Sequence, residues 1–316
     1  MKTSNQLVSE YWANADRDPL ANDRSFYLFP PIKSRSCQLI FNETDVSRND
    51  WCEYWTIEKI LKNHIPFKKA LSICCGFGAV ERTLSKLGVA DKIYGTDISE
   101  GAVKKAIEKA EEENLTNIEY FTADLNTYDL PENEYDLIWA NGALHHIKDL
   151  ETVIAKLYNS LKPGGFMICN EYVGPNYYQF KEIQISLINT LWDLMPESLK
   201  SNHQVTLKQK VKNIVKRKLR IRNSFEIRPV EWFLNNDPSE GINSENIIPV
   251  LEKTFNKIEI RNFGGTLLHF NDTFYKNFNF KDSEHRAFLE FAFKFEDSLI
   301  KSKIISSDNV HMICIK

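Results

Sequence analysis

The stretch ALSICCGFGAVERTLSKL, residues 70–87, decides the fold. It begins as a short apolar run, turns at Gly76-Phe77-Gly78 and continues with a helical pattern. Two glycines directly after a strand let the backbone turn sharply and approach a ligand closely, where a Cβ atom would obstruct. A tight strand–helix turn without a ligand is the alternative interpretation, so the loop becomes informative only through its surroundings.

Strand and helix patterns alternate from Ala70 to Tyr172. Strands are predicted at 70–75, 92–98, 117–123, 135–140 and 166–172. The helices between them extend to about Leu87, from a Ser99 cap to about Glu113, and from Glu151 to Leu161, where Pro163-Gly164-Gly165 ends the pattern. Strands separated by helices of this length need right-handed crossovers, which predict a parallel sheet covered on both faces.

The remaining segments flank or interrupt this pattern. Strands at 256–262 and 309–316, with a helix at about 283–301 before the second, suit an antiparallel final strand within the same sheet. We therefore expect an N-terminal helical cap at 1–66, a core at 67–172, a helical insertion or lid at 173–255, and the C-terminal part of the core sheet at 256–316. The aromatic helices near both ends could pair subunits into a homodimer.

Polar residues follow three of the predicted strands. Asp97 ends the second strand, 21 residues after Gly76, Asp124 follows the third strand and Asn141 follows the fourth. Open parallel sheets bind ligands at these strand ends. A dinucleotide site would place a small residue where Glu81 stands, because the helix must pack closely on the strand, so hydride transfer is disfavoured.

The motifs ALSICCGFG, YGTDIS, FTADL, YDLIWANGALHHI and LKPGGFMICNEY resemble, in order and spacing, those of class I S-adenosylmethionine-dependent methyltransferases. The resemblance implies an α/β fold: a seven-stranded Rossmann-like methyltransferase sheet of order 3-2-1-4-5-7-6 with its last strand antiparallel. EYVGP (171–175), DPSEG (237–241) and GGTLLH (264–269) resemble segments of one bacterial branch of that family, associated with small-molecule or glycan modification.

S-adenosylmethionine is the cofactor that this resemblance implies. The glycine loop would pass the methionine part, Asp97 would bind the ribose hydroxyls, Asp124 would meet the adenine amino group, and the backbone of Asn141 would lie beside the methionine amine. Ser72 and Cys74 depart from the usual acid and glycine of the family. The predicted cofactor-binding set is Cys74, Cys75, Gly76, Phe77, Gly78, Asp97, Ile98, Asp124, Leu125, Asn141 and Tyr11.

Catalysis of methyl transfer is largely positioning, with a base when the acceptor is a hydroxyl. His145 and His146 are expected to begin the helix after strand four, and His146 is the preferred base, although either imidazole could instead pack or cap that helix. Glu171 and Tyr172 end strand five and could bind or deprotonate the acceptor, or satisfy loop backbone groups. His269 is a lesser candidate.

Two segments outside the core invite a functional interpretation. Tyr11 and Trp12 lie in an N-terminal helix that folds over the cofactor in many relatives, and aromatic faces attract a sulfonium, but ordinary packing explains them as well. Residues 200–222 carry nine Lys or Arg and no Asp or Glu, in a chain whose net charge is −3. They predict a basic amphipathic helix that could attract an anionic substrate, a membrane surface, RNA or a partner subunit, or could be a solvated helix packed on the core. Among the functional interpretations, a lid that attracts an acidic acceptor is favoured.

Composition excludes several classes of protein. No apolar run reaches the ~18 residues of a membrane span, and the N-terminus lacks the apolar segment of a secretory signal, so a cytoplasmic location is expected. The six cysteines form no CxxC pair and suit buried thiols, and no metal site is predicted. Asn141-Gly142-Ala143-Leu144 lacks the Pro-Pro-Tyr typical of amino-directed DNA enzymes, which makes nucleic acid an improbable partner.

Three functions therefore stay open. The favoured one is methyl transfer to a small-molecule or glycan acceptor, on oxygen and with an acidic acceptor as one option. The second is a nucleic-acid or protein methyltransferase, and the third is a catalytically inactive S-adenosylmethionine-binding protein.

Overall fold

The computed structural model describes residues 3–13, 26–200, 225, 227–269 and 272–316. It contains a seven-stranded sheet of order β3-β2-β1-β4-β5-β7-β6, which confirms the predicted order. The strands run parallel except β7, which is antiparallel to both β5 and β6, as expected. The strands are β1 (Phe67–Ile73), β2 (Ala90–Asp97), β3 (Ile118–Thr122), β4 (Tyr135–Asn141), β5 (Leu161–Tyr172), β6 (Lys257–Gly264) and β7 (Asn309–Ile315).

The helices lie on both faces and at the ends of this sheet. The first three precede β1, and a single π turn, Ile57–Leu61, extends the third. The helices are α1 (Ser4–Ala13), α2 (Pro30–Phe41), α3 (Trp51–Thr56), α4 (Ala79–Lys86), α5 (Glu100–Glu112), α6 (Leu150–Ser160), α7 (Glu182–Leu194), α8 (Glu197–Lys200), α9 (Val230–Asn236), α10 (Ile247–Thr254), α11 (Asp272–Asn277) and α12 (Ser283–Lys301).

The central strands are buried on both faces because their apolar residues are nearly continuous. Side chains alternate along a strand, so Leu71 of β1 packs in the cluster formed with α6 and α10, whereas its neighbour Ala70 packs in the cluster on the opposite face with Leu84 of α4. Trp139 of β4 is almost fully buried in the latter cluster. A sheet buried on both sides leaves its strand ends as the place for polar residues.

Helices α4 and α5 begin beside the strand ends, and the residue that precedes each helix determines where it begins. The side chain of Ser99 accepts a hydrogen bond from the amide of Ala102 at 3.3 Å, which confirms the predicted cap of α5. Gly78 precedes α4 with a φ of +74°, and a Cβ atom there would collide with the Tyr120 hydroxyl and, at 2.9 Å, with Ala106. Glycine at this position therefore lets α4 and α5 pack closely beside β3.

The fifth strand begins earlier than predicted. It starts at Leu161, directly after α6, and so includes the Pro-Gly-Gly segment that was expected to separate helix from strand. Gly164 has a φ of +78°, and its amide donates to the carbonyl of Lys316 at 2.9 Å. A register shift opposite Tyr135 accommodates the segment, so these residues form a bulge at the strand start rather than a loop.

The N-terminal segment, the insertion and α12 share a second apolar region away from the central strands. Phe29 packs there with Phe274, Leu191 of α7 and Leu289 of α12. The described part of the insertion contains helices joined by loops, but the basic segment predicted at 200–222 lies outside the described residues beyond Lys200. The division into four segments stays a prediction. Among the described helices, none combines the length and apolar character needed to cross a bilayer.

Candidate functional site

A cleft of about 480 Å³ opens at the carboxyl ends of β1, β2 and β4, beneath α1. This position agrees with the general location of ligand sites in open α/β sheets. Eight of the residues predicted from the sequence line the cleft: Cys74, Gly76, Asp97, Ile98, Asp124, Leu125, Asn141 and His146.

Asp97 holds the two loops at the strand ends together. One of its carboxylate oxygens accepts the amide of Gly76 at 2.9 Å, and the other accepts the amide of Ser99 at 2.8 Å. The side chain is 9% exposed, and burial raises its pKa against the opposing effect of these two amides. The carboxylate is therefore fixed in position while it still reaches the cleft.

The glycine loop has open space beside Gly76 and a strained backbone at Cys74. Gly76 has a φ of +51°, and a Cβ atom there would meet nothing within 4 Å, so the cleft comes directly against the backbone. Cys74 has a φ of +49°, an unfavourable backbone conformation for a residue with a side chain, and its side chain lines the cleft. The departure from glycine at residue 74 thus changes both the backbone strain and the shape of the cleft.

Four predicted cofactor-binding residues do not line the cleft. The ring of Phe77 lies under the ammonium groups of Lys105 and Lys109, at 5.3 and 5.6 Å, and so contacts α5 instead. Gly78 begins α4 rather than facing the cavity. The others absent from the lining are Cys75 and Tyr11.

Helix α1 covers the cleft through its polar and aromatic side chains. The amide of Asn5 donates to Asp124 at 2.8 Å, which ties α1 to the end of β3. Trp12 lines the cleft and packs edge-on against His146, with ring centroids 5.4 Å apart. Tyr11, the predicted contact, packs against Trp12. The tryptophan is therefore the aromatic side chain of this pair that faces the cavity.

The two histidines lie in a 3-10 turn, Leu144–His146, and not at the start of a helix as predicted, since α6 begins only at Leu150. Their ring centroids are 4.2 Å apart. Burial acts to lower the pKa of His145, but the hydrogen bond and charge of Glu171, together with the charges of Glu240 and Asp237, outweigh this effect and the net shift is upward. Burial and the neighbouring His145 lower the pKa of His146.

Glu171 lies beneath this turn with its side chain fully buried. One oxygen accepts the amides of Ala143 and Leu144 at 2.7 and 2.9 Å, and the other lies 2.8 Å from Nδ1 of His145. Tyr172, the next residue of β5, donates its hydroxyl to the carbonyl of Pro175 at 3.1 Å. Neither residue lines the cleft, so both are placed to support the loops around it.

His269 lies in an aromatic cluster beside the histidine turn. Its ring stacks on Phe26 with centroids 4.9 Å apart and approaches Tyr178 at 5.9 Å. Burial lowers its pKa to about 4, which leaves the imidazole neutral at physiological pH. It does not line the cleft.

The insertion contributes residues that the sequence analysis did not assign. Ser239 lines the cleft and lies 3.1 Å from Nδ1 of His146, and Glu240 approaches Nε2 of both histidines at 3.9–4.0 Å. The imidazoles hold the pKa of Glu240 below its ordinary value although burial acts to raise it. DPSEG was the available signal, but sequence spacing alone cannot place it beside a histidine pair on another loop.

Residues 70–165 match the family described as "Methyltransferase domain". This region contains β1 to β4, most of the cleft lining and the histidine turn. This region is therefore similar to a methyltransferase domain, and S-adenosylmethionine is the cofactor, as the motifs predicted.

Curated relatives match less than half of the chain. A demethylmenaquinone methyltransferase of Geobacillus stearothermophilus is 26% identical over 138 residues, which span 43% of this chain and 59% of that protein. Phosphoethanolamine N-methyltransferase 2 of Caenorhabditis elegans is 30% identical over 118 residues, which span 36% and 26% respectively. The chain thus spans about half the length of the first curated relatives it matches.

One solved structure is similar over nearly the whole chain. The [4+2]-cyclase SpnF superimposes with a TM-score of 0.50 at 14% identity, and the match covers 99% of this chain and 96% of that one. At this identity the likeness concerns the fold alone.

Proposed function

We propose that this chain is an S-adenosylmethionine-dependent methyltransferase that modifies an oxygen atom of a small-molecule or glycan acceptor. The observation that carries the proposal is the cleft of the methyltransferase domain, which is lined by the fixed carboxylate of Asp97 and by the imidazole of His146. Asp97 can accept hydrogen bonds from the ribose of the cofactor, and His146 can bind an acceptor hydroxyl.

The residues of the cleft fit the cofactor. The open space over Gly76 admits a ligand directly against the backbone, as the methionine part requires. Both carboxylate oxygens of Asp97 accept hydrogen bonds from backbone amides, and the residue still lines the cleft. There the carboxylate can accept hydrogen bonds from the ribose hydroxyls. When bound, S-adenosylmethionine supplies a methyl group already activated by its sulfonium.

The other predicted contacts divide into two groups. Ile98, Asp124, Leu125 and Asn141 line the cleft, and we assign them to the adenosine and methionine amine as the resemblance implies. Cys75, Phe77, Gly78 and Tyr11 act indirectly in this proposal, because they hold the loop and α1 in place. Trp12 takes over the aromatic role that was expected of Tyr11.

His146 is the residue that we assign to the acceptor. Its ring lies between Trp12 and the insertion residue Ser239, on the side of the cleft formed by the histidine turn and the insertion. An imidazole in this position can orient an acceptor hydroxyl and assist the loss of its proton. Oxygen is proposed as the methylated atom on this ground.

His145, Glu171 and Tyr172 are positioning residues in this proposal. Glu171 contacts three groups of the histidine turn and is fully buried, so it cannot reach an acceptor in the described conformation. Tyr172 holds the backbone of the following loop. The interpretation that these side chains satisfy loop groups is thus favoured over direct contact with the acceptor.

The acceptor class rests on features of the sequence. The names of the two curated relatives indicate different acceptors, so neither acceptor is assigned to this chain. The bacterial branch suggested by EYVGP, DPSEG and GGTLLH supports a small molecule or glycan, and the basic segment at 200–222 favours an acidic one. A homodimer stays part of the proposal, and sedimentation equilibrium tests it.

The alternatives differ in product rather than in fold. SpnF is named a cyclase, so a methyltransferase-like sheet does not by itself establish methyl transfer. A nucleic-acid or protein methyltransferase would transfer label to a macromolecule, and an inactive binding protein would transfer none.

The deciding experiment has two arms. Calorimetry with S-adenosylhomocysteine should show binding by the wild type, and Asp97→Asn should weaken it about 10–100-fold, the loss expected for hydrogen bonds to a charged group. Asp91→Asn, at the exposed opposite end of β2, is the matched control. Incubation with methyl-labelled cofactor and acidic metabolite fractions should then yield a labelled small product, and absence of S-adenosylhomocysteine binding by the wild type would by itself overturn the proposal.

A further inference from the structure

Three potential metal ligands converge at the histidine turn. Nε2 of His145 and Nε2 of His146 lie 4.0 and 3.9 Å from the two carboxylate oxygens of Glu240, and ligand atoms of all three residues lie within 4.8 Å of one another. We propose that His145, His146 and Glu240 bind a divalent transition-metal ion whose open coordination position faces the cleft.

The first argument is geometric. Ligand atoms around a tetrahedral Zn²⁺ ion, each at about 2.0–2.1 Å from the metal, are separated by about 3.3 Å. The imidazole–carboxylate separations exceed this value by little more than half an ångström, which rotation of the side chains can close. Two imidazoles and one carboxylate are also the ligand set of catalytic sites that keep a further position open for water or substrate.

The second argument is the support behind His145. Its Nδ1 lies 2.8 Å from a carboxylate oxygen of Glu171, whose other oxygen is fixed by two backbone amides. The ionised carboxylate accepts the Nδ1 proton, so the unprotonated nitrogen is Nε2, on the side of Glu240. A carboxylate behind a ligating histidine fixes the ring and the tautomer in the same way in known metal sites.

The third argument is the direction of hydrogen bonds behind His146. The hydroxyl of Ser239 donates its single proton to Asp237 at 2.7 Å and can only accept from Nδ1 of His146, 3.1 Å away. His146 therefore also presents an unprotonated Nε2 towards Glu240. In the neutral form of each imidazole, the partner on the far side therefore leaves Nε2 as the nitrogen that can bind a metal ion.

Glu240 completes the arrangement from the insertion. One of its oxygens accepts the hydroxyl proton of Tyr178 at 2.5 Å, which orients the carboxylate towards the turn. It supplies the negative charge that partly neutralises a divalent ion. DPSEG therefore contributes a ligand through Glu240 and the support of a second ligand through Asp237 and Ser239, which explains why these residues occur together.

Part of the group borders the cleft, and the proposal places the open coordination position on that side. His146 and Ser239 line the cavity that also contains Asp97. An acceptor hydroxyl bound to the ion there would have its pKa lowered, and its proton would pass to water in the cleft without any electron transfer. This catalytic use rests on the proposed methyl transfer, with the ion in place of the His146 imidazole as the group that activates the hydroxyl, whereas ion binding itself does not.

Metal binding is measured directly with Co²⁺ and Zn²⁺ as probes. Chelator-treated protein titrated with Co²⁺ should develop visible d–d absorption that saturates at one ion per chain, and Zn²⁺ should displace it. Glu240→Gln should weaken Zn²⁺ affinity by more than about 100-fold, beyond the loss expected for an outer partner. Glu245→Gln, an exposed carboxylate of the same segment, should match the wild type.

A second variant separates the site from general misfolding. Ser239→Ala removes the partner of His146 without removing a ligand and should weaken Zn²⁺ affinity about 10-fold. Absence of Co²⁺ bands in the wild type, or equal Zn²⁺ affinity in wild type, Glu240→Gln and Ser239→Ala, would overturn the inference in favour of a metal-free imidazole pair or adventitious surface binding. Metal binding without S-adenosylhomocysteine binding would overturn the proposed function and leave the metal site standing.

Discussion

A carboxylate oxygen of Glu171 lies 2.8 Å from Nδ1 of His145, and the second oxygen of the same carboxylate accepts the amides of Ala143 and Leu144. One buried side chain of β5 thus sets both the backbone of the histidine turn and the orientation of one imidazole. The acceptor side of the cleft depends on this contact although Glu171 does not line the cavity.

Replacement of Glu171 by Gln tests that dependence. The amide oxygen can still accept backbone amides, but the NH₂ group cannot accept the Nδ1 proton of His145. We expect a loss of about 1–3 kcal/mol in the free energy of unfolding, because a buried partner becomes unsatisfied. Turnover should fall while S-adenosylhomocysteine affinity, measured by calorimetry, changes little.

The control for this variant is Glu119→Gln, which breaks only a surface ion pair with Lys92. Reduced stability with unchanged turnover would show that Glu171 is purely structural.

Trp12→Ala and Tyr11→Ala form a second matched pair. Only the tryptophan lines the cleft, so its removal should weaken S-adenosylhomocysteine binding about 10-fold, the effect of losing one well-packed aromatic contact. Tyr11→Ala should change the dissociation constant less than about 3-fold. The reverse order of effects in calorimetry would restore the sequence-based assignment of Tyr11.

Substitutions at Cys74 test the strained strand end. Cys74→Val places a β-branched residue at a φ of +49° and should lower the free energy of unfolding by about 1–2 kcal/mol. Cys74→Gly should leave stability within about 1 kcal/mol of wild type, since relief of strain offsets the larger entropy of the unfolded chain. Denaturant unfolding measures both, and equal stability of the two variants would contradict the explanation.

Glu81 should give the protein a measurable pH dependence. Burial raises the pKa of its carboxyl to about 7 from an ordinary 4.5. The unfolded chain therefore releases this proton between about pH 4.5 and 7 while the folded chain keeps it, and stability falls as pH rises through that window. The loss is at most ~3 kcal/mol, and it is absent below pH 4.5, where both states are protonated.

The variant Glu81→Gln cannot ionise at residue 81 and should therefore lack this pH-dependent loss of stability. Between pH 5 and pH 8, the free energy of unfolding of the wild type should fall relative to that of Glu81→Gln. Glu108→Gln, an exposed carboxylate on α5, should run parallel to the wild type. If the free energy of unfolding of Glu81→Gln also followed the wild type across this pH range, the Glu81 carboxyl would not be desolvated in the folded chain.

The sheet could be predicted because each of its strands has a local apolar pattern and a turn signal beside it. Asp97, Asp124 and Asn141 were found for the same reason, since they occupy equivalent positions at strand ends. The start of β5 was missed because a Pro-Gly-Gly segment predicts a break, whereas pairing with β4 and the carbonyl of Lys316 holds it in the sheet.

The histidine turn shows where local patterns stop being sufficient. His145 and His146 were found as titratable residues after a strand, but their partners lie on β5 and on the insertion, at positions that only the folded chain brings near. Glu81 is similar: its sequence position excluded a dinucleotide site, but only packing shows that it is buried, with its Cγ within 3.2 Å of where a Cβ of Gly95 would lie.

The antiparallel strand β7 also has a consequence for the order of assembly. It lies between β5 and β6, so β6 can join the sheet only after β7 has been synthesised. Contacts between segments far apart in the chain form slowly, because loop closure must precede their stabilisation. During translation the parallel strands β1 to β5 can therefore pair first, and β6 and β7 complete the sheet only in the final stage of folding.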